Sequence, residues 1–248
     1  MREWLLGPVD EAAAVDELAQ RDINYDPGRA PQEGRPEGHW HVDSVAAVVG
    51  REPAGDPIPG GPWETACQLV RQYEFADARI LRAVYRGDQP LLGRDMLLEG
   101  RFLILRFYLG VRITGLIDET RETSAGRERV SGWCYQTLHG HLEQGRLSYE
   151  VIKNLGTGQI AFRVTGYSRR SQIGNPIVRW GFRVFGHWMQ RRFYRNVLSR
   201  MRNLVQAAQS GQELPTPATR ADGLSLAPSG VRPVATERLA IGLLHPGI

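Results

Sequence analysis

The stretch RLSYEVIKNLGTGQIAFRVTGYS, residues 146–168, decides the fold. Apolar and polar residues alternate in 146–153 and again in 159–168, which is the period of a strand that buries one face. Between them, residues 154–158 are Asn-Leu-Gly-Thr-Gly, a composition typical of a hairpin turn. The sequence therefore predicts two antiparallel strands joined by a short loop.

The residues before this hairpin continue the strand pattern. Three upstream segments, 79–85, 110–119 and 129–138, alternate or are rich in β-branched and aromatic residues. A fourth segment, 96–107, is apolar throughout and fits a strand or a helix. An amphipathic helix is predicted at 64–75, ahead of this series. Because the connections are short, the succession favours an antiparallel meander over parallel units with crossover helices.

A long helix is predicted after the hairpin. Asn175 is a favourable N-cap, Pro176 suits the first helical position, and no break follows until about Ser210, so the helix would run for roughly 30 residues. In its second half an apolar side carries Phe193, Val197, Met201 and Leu204, and the opposite side carries Arg191, Arg195 and Arg202.

These elements predict an α+β fold in which a curved antiparallel sheet wraps on a long C-terminal helix. A strongly bent sheet does not fill its concave face with its own side chains, so a cavity is expected between sheet and helix. We interpret 1–21 as an N-terminal extension and 22–208 as the domain, with an irregular Pro- and Gly-rich segment at 26–62. The tail, 209–248, is expected to be disordered.

Several motifs also resemble a known family. They are INYD at 23–26, GPWETACQLVRQYEFADARILRAVY at 61–85, GWCYQTLHGHLEQGRLSYEV at 132–151 and VTGYSRRSQIGNPIVRWGFRVFG at 164–186. Together they resemble the DUF1990 (UPF0548) family, and more closely its actinobacterial branch. That family is similar to the START/Bet v 1-like (SRPBCC) helix-grip superfamily. The resemblance therefore implies a helix-grip fold with a ligand cavity, and it implies no particular reaction. Arg146 departs from the pattern, because many members carry Glu there.

Composition excludes several classes of protein. The 248 residues include only two cysteines, so a disulfide-stapled secreted domain is excluded. No apolar run reaches the roughly 18 residues of a membrane helix, and no secretory signal is visible at the N-terminus. We therefore expect a cytoplasmic protein without an integral membrane segment. The net charge is +4, and only one of the 31 basic residues is Lys. The arginines of the C-terminal helix are interpreted as a solvated face, so nucleic acid is not expected as a partner.

The leading functional prediction is binding of a small hydrophobic molecule in the predicted cavity. The expected ligand contacts are Tyr25, Trp133, Tyr135, His141, Tyr149, Phe162, Trp180 and Trp188. A second hypothesis is an enzyme that performs acid–base chemistry in the same cavity, with His141 as base and Tyr135 as proton donor. In that case Glu143 would orient His141, although pairing with an arginine is the simpler role. A third hypothesis is an adaptor that docks anionic partners through Arg191, Arg195 and Arg202.

Metal and cofactor chemistry has weak support in the sequence. His139, His141 and Glu143 alternate as ligands on a strand would, but Gly140 and a nearby turn disturb that alternation. His39 and His41 fall in the Pro-rich segment and are interpreted as surface residues. Neither a phosphate-binding loop nor a nucleophile or zinc motif occurs. We therefore predict no metal and no cofactor.

Overall fold

The structure is a computed structural model that describes residues 5–7, 9–31, 40–102, 105–171, 176–230 and 241–244. Side chains are described over 9–31, 40–101, 106–171 and 192–230.

The predicted helix at 64–75, the strands after it and the long C-terminal helix occur in the predicted order, and further strands lie before and after them. The helices are α1 Glu11–Glu17, α2 Pro62–Gln72 and α3 Pro176–Gln209. The strands are β1 Leu5–Gly7, β2 His41–Arg51, β3 Leu81–Arg86, β4 Asp95–Phe102, β5 Leu105–Thr123, β6 Gly126–Thr137, β7 Glu143–Asn154, β8 Gln159–Arg170, β9 Ala218–Thr219, β10 Leu224–Ala227 and β11 Ile241–Leu244.

One curved sheet contains these strands. Its order is β2–β8–β7–β6–β5–β4–β3–β10–β9, with antiparallel pairing throughout this path, while β11 lies parallel to the start of β5 and also pairs with β1. The predicted hairpin is β7–β8, with Ser148 opposite Thr165. Gly158 closes its turn at a φ of 71°, and a Cβ atom there would lie 1.9 Å from the carbonyl oxygen of Glu52. Only glycine fits this position.

α2 and α3 cover the concave face of the sheet. α2 begins at Pro62 and is capped after Gln72 by Tyr73, whose backbone is left-handed with a φ of 61°. From α3, Val197, Met201 and Val205 enter the same core and are almost completely buried. The apolar stripe predicted for the second half of α3 therefore packs on the sheet as expected.

α1 covers part of the opposite face. Asp10 caps this helix by accepting hydrogen bonds from the backbone N–H groups of Ala12 and Ala13, both at 3.1 Å. Val15 and Leu18 then pack on a second, smaller apolar cluster outside the sheet. Residues of the N-terminal extension are thus part of the folded domain.

Two predictions about individual segments require correction. Residues 41–51, placed in an irregular segment, form the long edge strand β2, because this stretch is free of proline and rich in valine. The segment 96–107, for which strand and helix were both open, is extended where the structure describes it, with 96–102 in β4 and 105–107 in β5.

The C-terminal tail is also more ordered than expected. β10 adds to the sheet beside β3, and the backbone N–H of Ser229 donates a hydrogen bond of 2.9 Å to Glu74. The physical reason is that β3 offers an unpaired edge that the tail completes.

No helix in the described part of the chain is both long and apolar enough to cross a membrane.

Candidate functional site

The concave face has a sealed end under α2. Trp133, Tyr149 and Phe162 lie here with exposed fractions of 1%, 0% and 0%. The Tyr149 ring stacks on Phe162 with centroids 6.4 Å apart, and Trp133 donates its indole N–H to the carbonyl of Val70 at 2.9 Å. Predicted as cavity walls, these three residues instead fill the core and leave no surface for a ligand to contact. They are large aromatics that the sheet and α2 can enclose completely.

Two buried hydroxyl groups mark this sealed end. Within the described residues, the phenol oxygens of Tyr73 and Tyr149 have no hydrogen-bond partner of normal geometry, although the two phenols lie close enough to affect each other's pKa. Burial raises the pKa of both phenols, so both stay neutral. The sealed end therefore consists of packed aromatic rings, with two neutral phenol oxygens among them.

Exposure of the concave side chains rises toward the other end of the sheet. Along β7, Tyr149 is fully buried, whereas Leu147 and Glu143 are only partly buried. The neighbouring edge strand shows the same change, since Val49 is buried and Val45 and Asp43 are partly exposed. Leu147 lies across from Gly166 on β8, and its side chain occupies the space that a side chain at position 166 would need. We call this part of the concave face, which its own side chains cover less completely, the open end.

Acidic groups lie at the open end. Asp43 and Glu143 both face the concave side, and the Tyr194 hydroxyl on α3 donates a hydrogen bond of 3.4 Å to Asp43. Burial raises the pKa of Glu143 to about 7, with the nearby charge of Asp43 acting in the same direction and Arg170 opposing it. Glu143 can therefore hold or release a proton near neutral pH.

Tyr135 lies between the sealed and open ends. It is 8% exposed and lies beside Leu147 in the strand register. Burial raises the pKa of its phenol, so Tyr135 is a neutral hydrogen-bond donor or acceptor. Trp180 and Trp188 are in the first half of α3, outside the described side chains.

His141 belongs to the loop between β6 and β7. Its Nδ1 accepts a hydrogen bond of 2.9 Å from the backbone N–H of Glu143, and Ser171 donates to its carbonyl at 2.8 Å. Burial lowers the pKa of the imidazole to about 4. At neutral pH His141 is an uncharged loop residue and a weak base, and among the described hydrogen bonds its ring contacts the backbone of Glu143 and not Tyr135.

Tyr25 lies on the opposite face of the sheet. Its hydroxyl accepts a hydrogen bond of 2.8 Å from Gln136 and lies 3.1 Å from the hydroxyl of Tyr167. Its ring meets Trp40 edge-on. The prediction that Tyr25 joins the concave ligand contacts is therefore not met, because the chain before β2 crosses the outer side of the sheet.

The residues considered as metal ligands or as an anion-docking surface do not form a common site among the described residues. Among the described residues, no three His, Cys, Asp or Glu side chains are grouped as a metal site requires, and this includes the trio His139, His141 and Glu143. In the arginine set, Arg195 is exposed, whereas Arg202 donates to the carbonyl of Val48 at 3.1 Å and so holds α3 to β2. The side chain of Arg191, like residue 39, lies outside the described residues.

Asp43 is the site residue that sequence reasoning missed. Because 26–62 was interpreted as an irregular segment, Asp43 was not considered as a strand residue facing the site. The signal was present, since the valines of HVDSVAAVVGR mark a strand and place Asp43 and Val45 on one face.

A curved antiparallel sheet that wraps on one long C-terminal helix is the helix-grip fold of the START and Bet v 1-like proteins, and this chain has that α+β fold. The chain belongs to the DUF1990 family, described as a domain of unknown function, whose family model matches residues 24–200.

Solved structures with similar folds share little sequence with it. A norcoclaurine synthase point mutant from Thalictrum flavum, in complex with a transition-state analogue, is 8% identical with a TM-score of 0.45, covering 71% of this chain and 99% of that one. Ara h 8.0201 is 9% identical with a TM-score of 0.40, covering 68% and 99%. Human STARD10 is 10% identical with a TM-score of 0.37, covering 91% and 96%. No curated protein matches the sequence significantly.

Proposed function

We propose that the protein binds a small, mostly apolar molecule at the open end of its concave face, between the sheet and the first half of α3. The observation that carries this proposal is the change in exposure along β2 and β7. Concave side chains are fully buried under α2, and aliphatic side chains such as Val45 and Leu147 keep accessible surface at the other end. Aliphatic surface that the chain itself leaves uncovered on a concave face favours an apolar ligand.

Polar groups at the same end would orient the ligand. Tyr135 offers a neutral hydroxyl at the boundary of the sealed end, and Glu143 and Asp43 offer carboxyl groups at the rim. A mostly apolar wall with a few convergent polar groups is the usual composition of small-molecule sites. The ligand is therefore expected to carry at least one hydrogen-bonding group.

Native mass spectrometry of the purified protein tests the proposal directly, since a co-purifying small molecule adds a defined mass that is lost on denaturation. Titration with N-phenyl-1-naphthylamine, a neutral apolar fluorophore, supplies a second test. We expect saturable fluorescence enhancement. Leu147→Glu should abolish most of it by placing a charge at the open end.

Leu92→Glu is the matched control, because Leu92 is 52% exposed in the turn before β4. It should leave the titration unchanged. Equal enhancement in wild type and Leu147→Glu, with both variants folded by circular dichroism, would contradict binding at the open end. So would enhancement that never saturates.

A second candidate function is acid–base catalysis at the same place. The specific observation is Glu143, whose carboxyl has a pKa of about 7 and faces the concave side. A group with that pKa exchanges protons readily near neutral pH, which general acid–base chemistry requires. His141 is the weaker candidate, because its Nδ1 is engaged and its pKa is low. Should turnover of an identified ligand be found, Glu143→Gln should abolish it while leaving binding intact.

A further inference from the structure

A half-open groove crosses the outer face of the sheet, opposite α3. Its volume is about 730 Å³, within the range of small-molecule sites. Its floor comes from β2, β8, β7 and β6, at positions that alternate with the concave ones. Segment 27–31 forms a wall through Pro27, Ala30 and Pro31. The groove is separated from the proposed apolar site by the thickness of the sheet.

Strand register arranges the floor in rows. Ser44, Thr165 and Ser148 lie side by side across β2, β8 and β7 and form a row of hydroxyl groups. In the next row Tyr167 lies beside Arg146. These side chains all carry hydrogen-bond donors, so the floor offers several donors to a ligand.

Arg146 gives the groove its charge. Its side chain is exposed and forms no ion pair with a carboxylate in the part of the chain that the structure describes. The other arginine of the floor, Arg163, is neutralised by Glu150, since its Nε donates to the carboxylate at 2.7 Å. The net charge of the lining is therefore positive and comes from Arg146.

A phenol adds a further donor beside Arg146. Tyr25 and Tyr167 share one hydrogen bond of 3.1 Å, and Tyr25 also accepts a hydrogen bond from Gln136. Two hydroxyl groups carry two protons, and their mutual contact uses only one. Among the described contacts the second proton has no acceptor, and Tyr167, which lines the groove, can direct it there.

From this geometry we propose that the outer groove is a second binding site, for a small organic acid. Its carboxylate or phosphate group would bind Arg146, with hydroxyl donors from Tyr167 and the neighbouring row. Its apolar body would lie against Pro27 and Pro31. A guanidinium group and several hydroxyl donors are the groups that recognise such anions. This proposal does not rest on the apolar site.

Titration of the full chain with small acids, monitored in ¹H–¹⁵N correlation spectra, tests the proposed second site. The probes are benzoate and phenyl phosphate, which distinguish the two acid groups, with neutral benzyl alcohol for comparison. We expect saturable shifts for at least one acid at the amides of Ser44, Ser148 and Thr165. Arg146→Gln should weaken that binding about tenfold, the loss of one charge-assisted contact. Tyr167→Phe should weaken it less.

Arg195→Gln, which alters an exposed arginine on α3, is the matched control and should leave the titration unchanged. Benzyl alcohol should give no saturable shift on the outer face. Equal weakening by Arg146→Gln and Arg195→Gln, or no saturation by either acid at tens of millimolar, would overturn the proposal. Arg146→Gln should retain N-phenyl-1-naphthylamine binding, so failure of one proposed site is distinguishable from failure of the other.

Discussion

Lys153 Nζ lies 2.6 Å from Glu52 Oε2, and both side chains have no exposed surface. Lys153 also donates to the carbonyl of Asp56 at 2.9 Å, and the second carboxylate oxygen of Glu52 accepts from the backbone N–H of Trp63 at 2.7 Å. The only lysine of the chain thus joins β7 to the loop that leads into α2. This ion pair fixes the sealed end of the concave face.

Breaking this pair on one side should be strongly destabilising. Lys153→Met leaves the Glu52 carboxylate buried without its counter-charge, and we expect it to lower the free energy of unfolding by about 3–5 kcal/mol. Adding Glu52→Gln removes the uncompensated charge and should restore much of that loss. Urea unfolding of the single and double variants measures both effects. A double variant no more stable than Lys153→Met would show that the pair does not act as a unit.

Removal of a tyrosine hydroxyl should cost more stability on the outer face of the sheet than on the concave face. Tyr149 Oη has no hydrogen-bond partner among the described residues, so Tyr149→Phe should change the free energy of unfolding by less than about 1 kcal/mol. Tyr25 Oη contacts both Gln136 and Tyr167, so Tyr25→Phe should cost roughly 1–3 kcal/mol. Parallel denaturation curves compare the two. A larger cost for Tyr149→Phe would mean that the sealed end holds a polar partner for this phenol.

The fold was largely predictable because its signals are local. Alternation over 146–168 and the sustained amphipathic pattern around Val197 and Met201 each depend on nearby residues, and the structure confirms the hairpin and the helix. The same reasoning failed for β2, where flanking prolines and glycines outweighed a valine-rich strand. It also failed for β10, because a short tail strand is stabilised only by the distant edge of β3.

The site was less predictable, because it depends on long-range geometry. Alternation tells which strand residues share a face, but it does not tell where α2 seals that face. Trp133 and Tyr149 were therefore expected at a cavity wall, although both lie in the packed core. The role of Tyr25 depends on which side of the sheet the preceding chain crosses, a choice that no local pattern specifies.

Glu143 should make stability fall as pH rises toward and through neutrality. Its pKa in the folded protein is raised to about 7 from a usual value of 4.5, so the folded state binds more protons than the unfolded state between these values. The contribution of the protonated Glu143 carboxyl to stability is therefore present below pH 4.5 and is lost as the pH rises through 7. Glu143→Gln cannot ionise, so it should be more stable than wild type at pH 8 and nearly equal at pH 4.5. Thermal unfolding at the two pH values measures this difference. No gain for Glu143→Gln at pH 8 would contradict the raised pKa.

His141 should make stability fall as the pH is lowered, which is the opposite of the dependence expected for Glu143. Its pKa in the folded protein is lowered to about 4 from 6.5, so between these values the unfolded chain binds the extra proton and stability falls as the pH is lowered. At pH 7 the neutral imidazole accepts the backbone N–H of Glu143, and His141→Ala should cost about 1–2 kcal/mol by leaving that group unpaired. The gap in unfolding free energy between wild type and His141→Ala should therefore narrow as the pH falls from 6.5 toward 4.

His139→Ala is the control, because His139 is exposed in the same loop and its substitution should cost little stability at either pH. Chemical denaturation at pH 7 and pH 5 measures this difference in unfolding free energy. A larger difference at pH 5 than at pH 7 would mean that His141 is protonated more readily in the folded protein than in the unfolded chain.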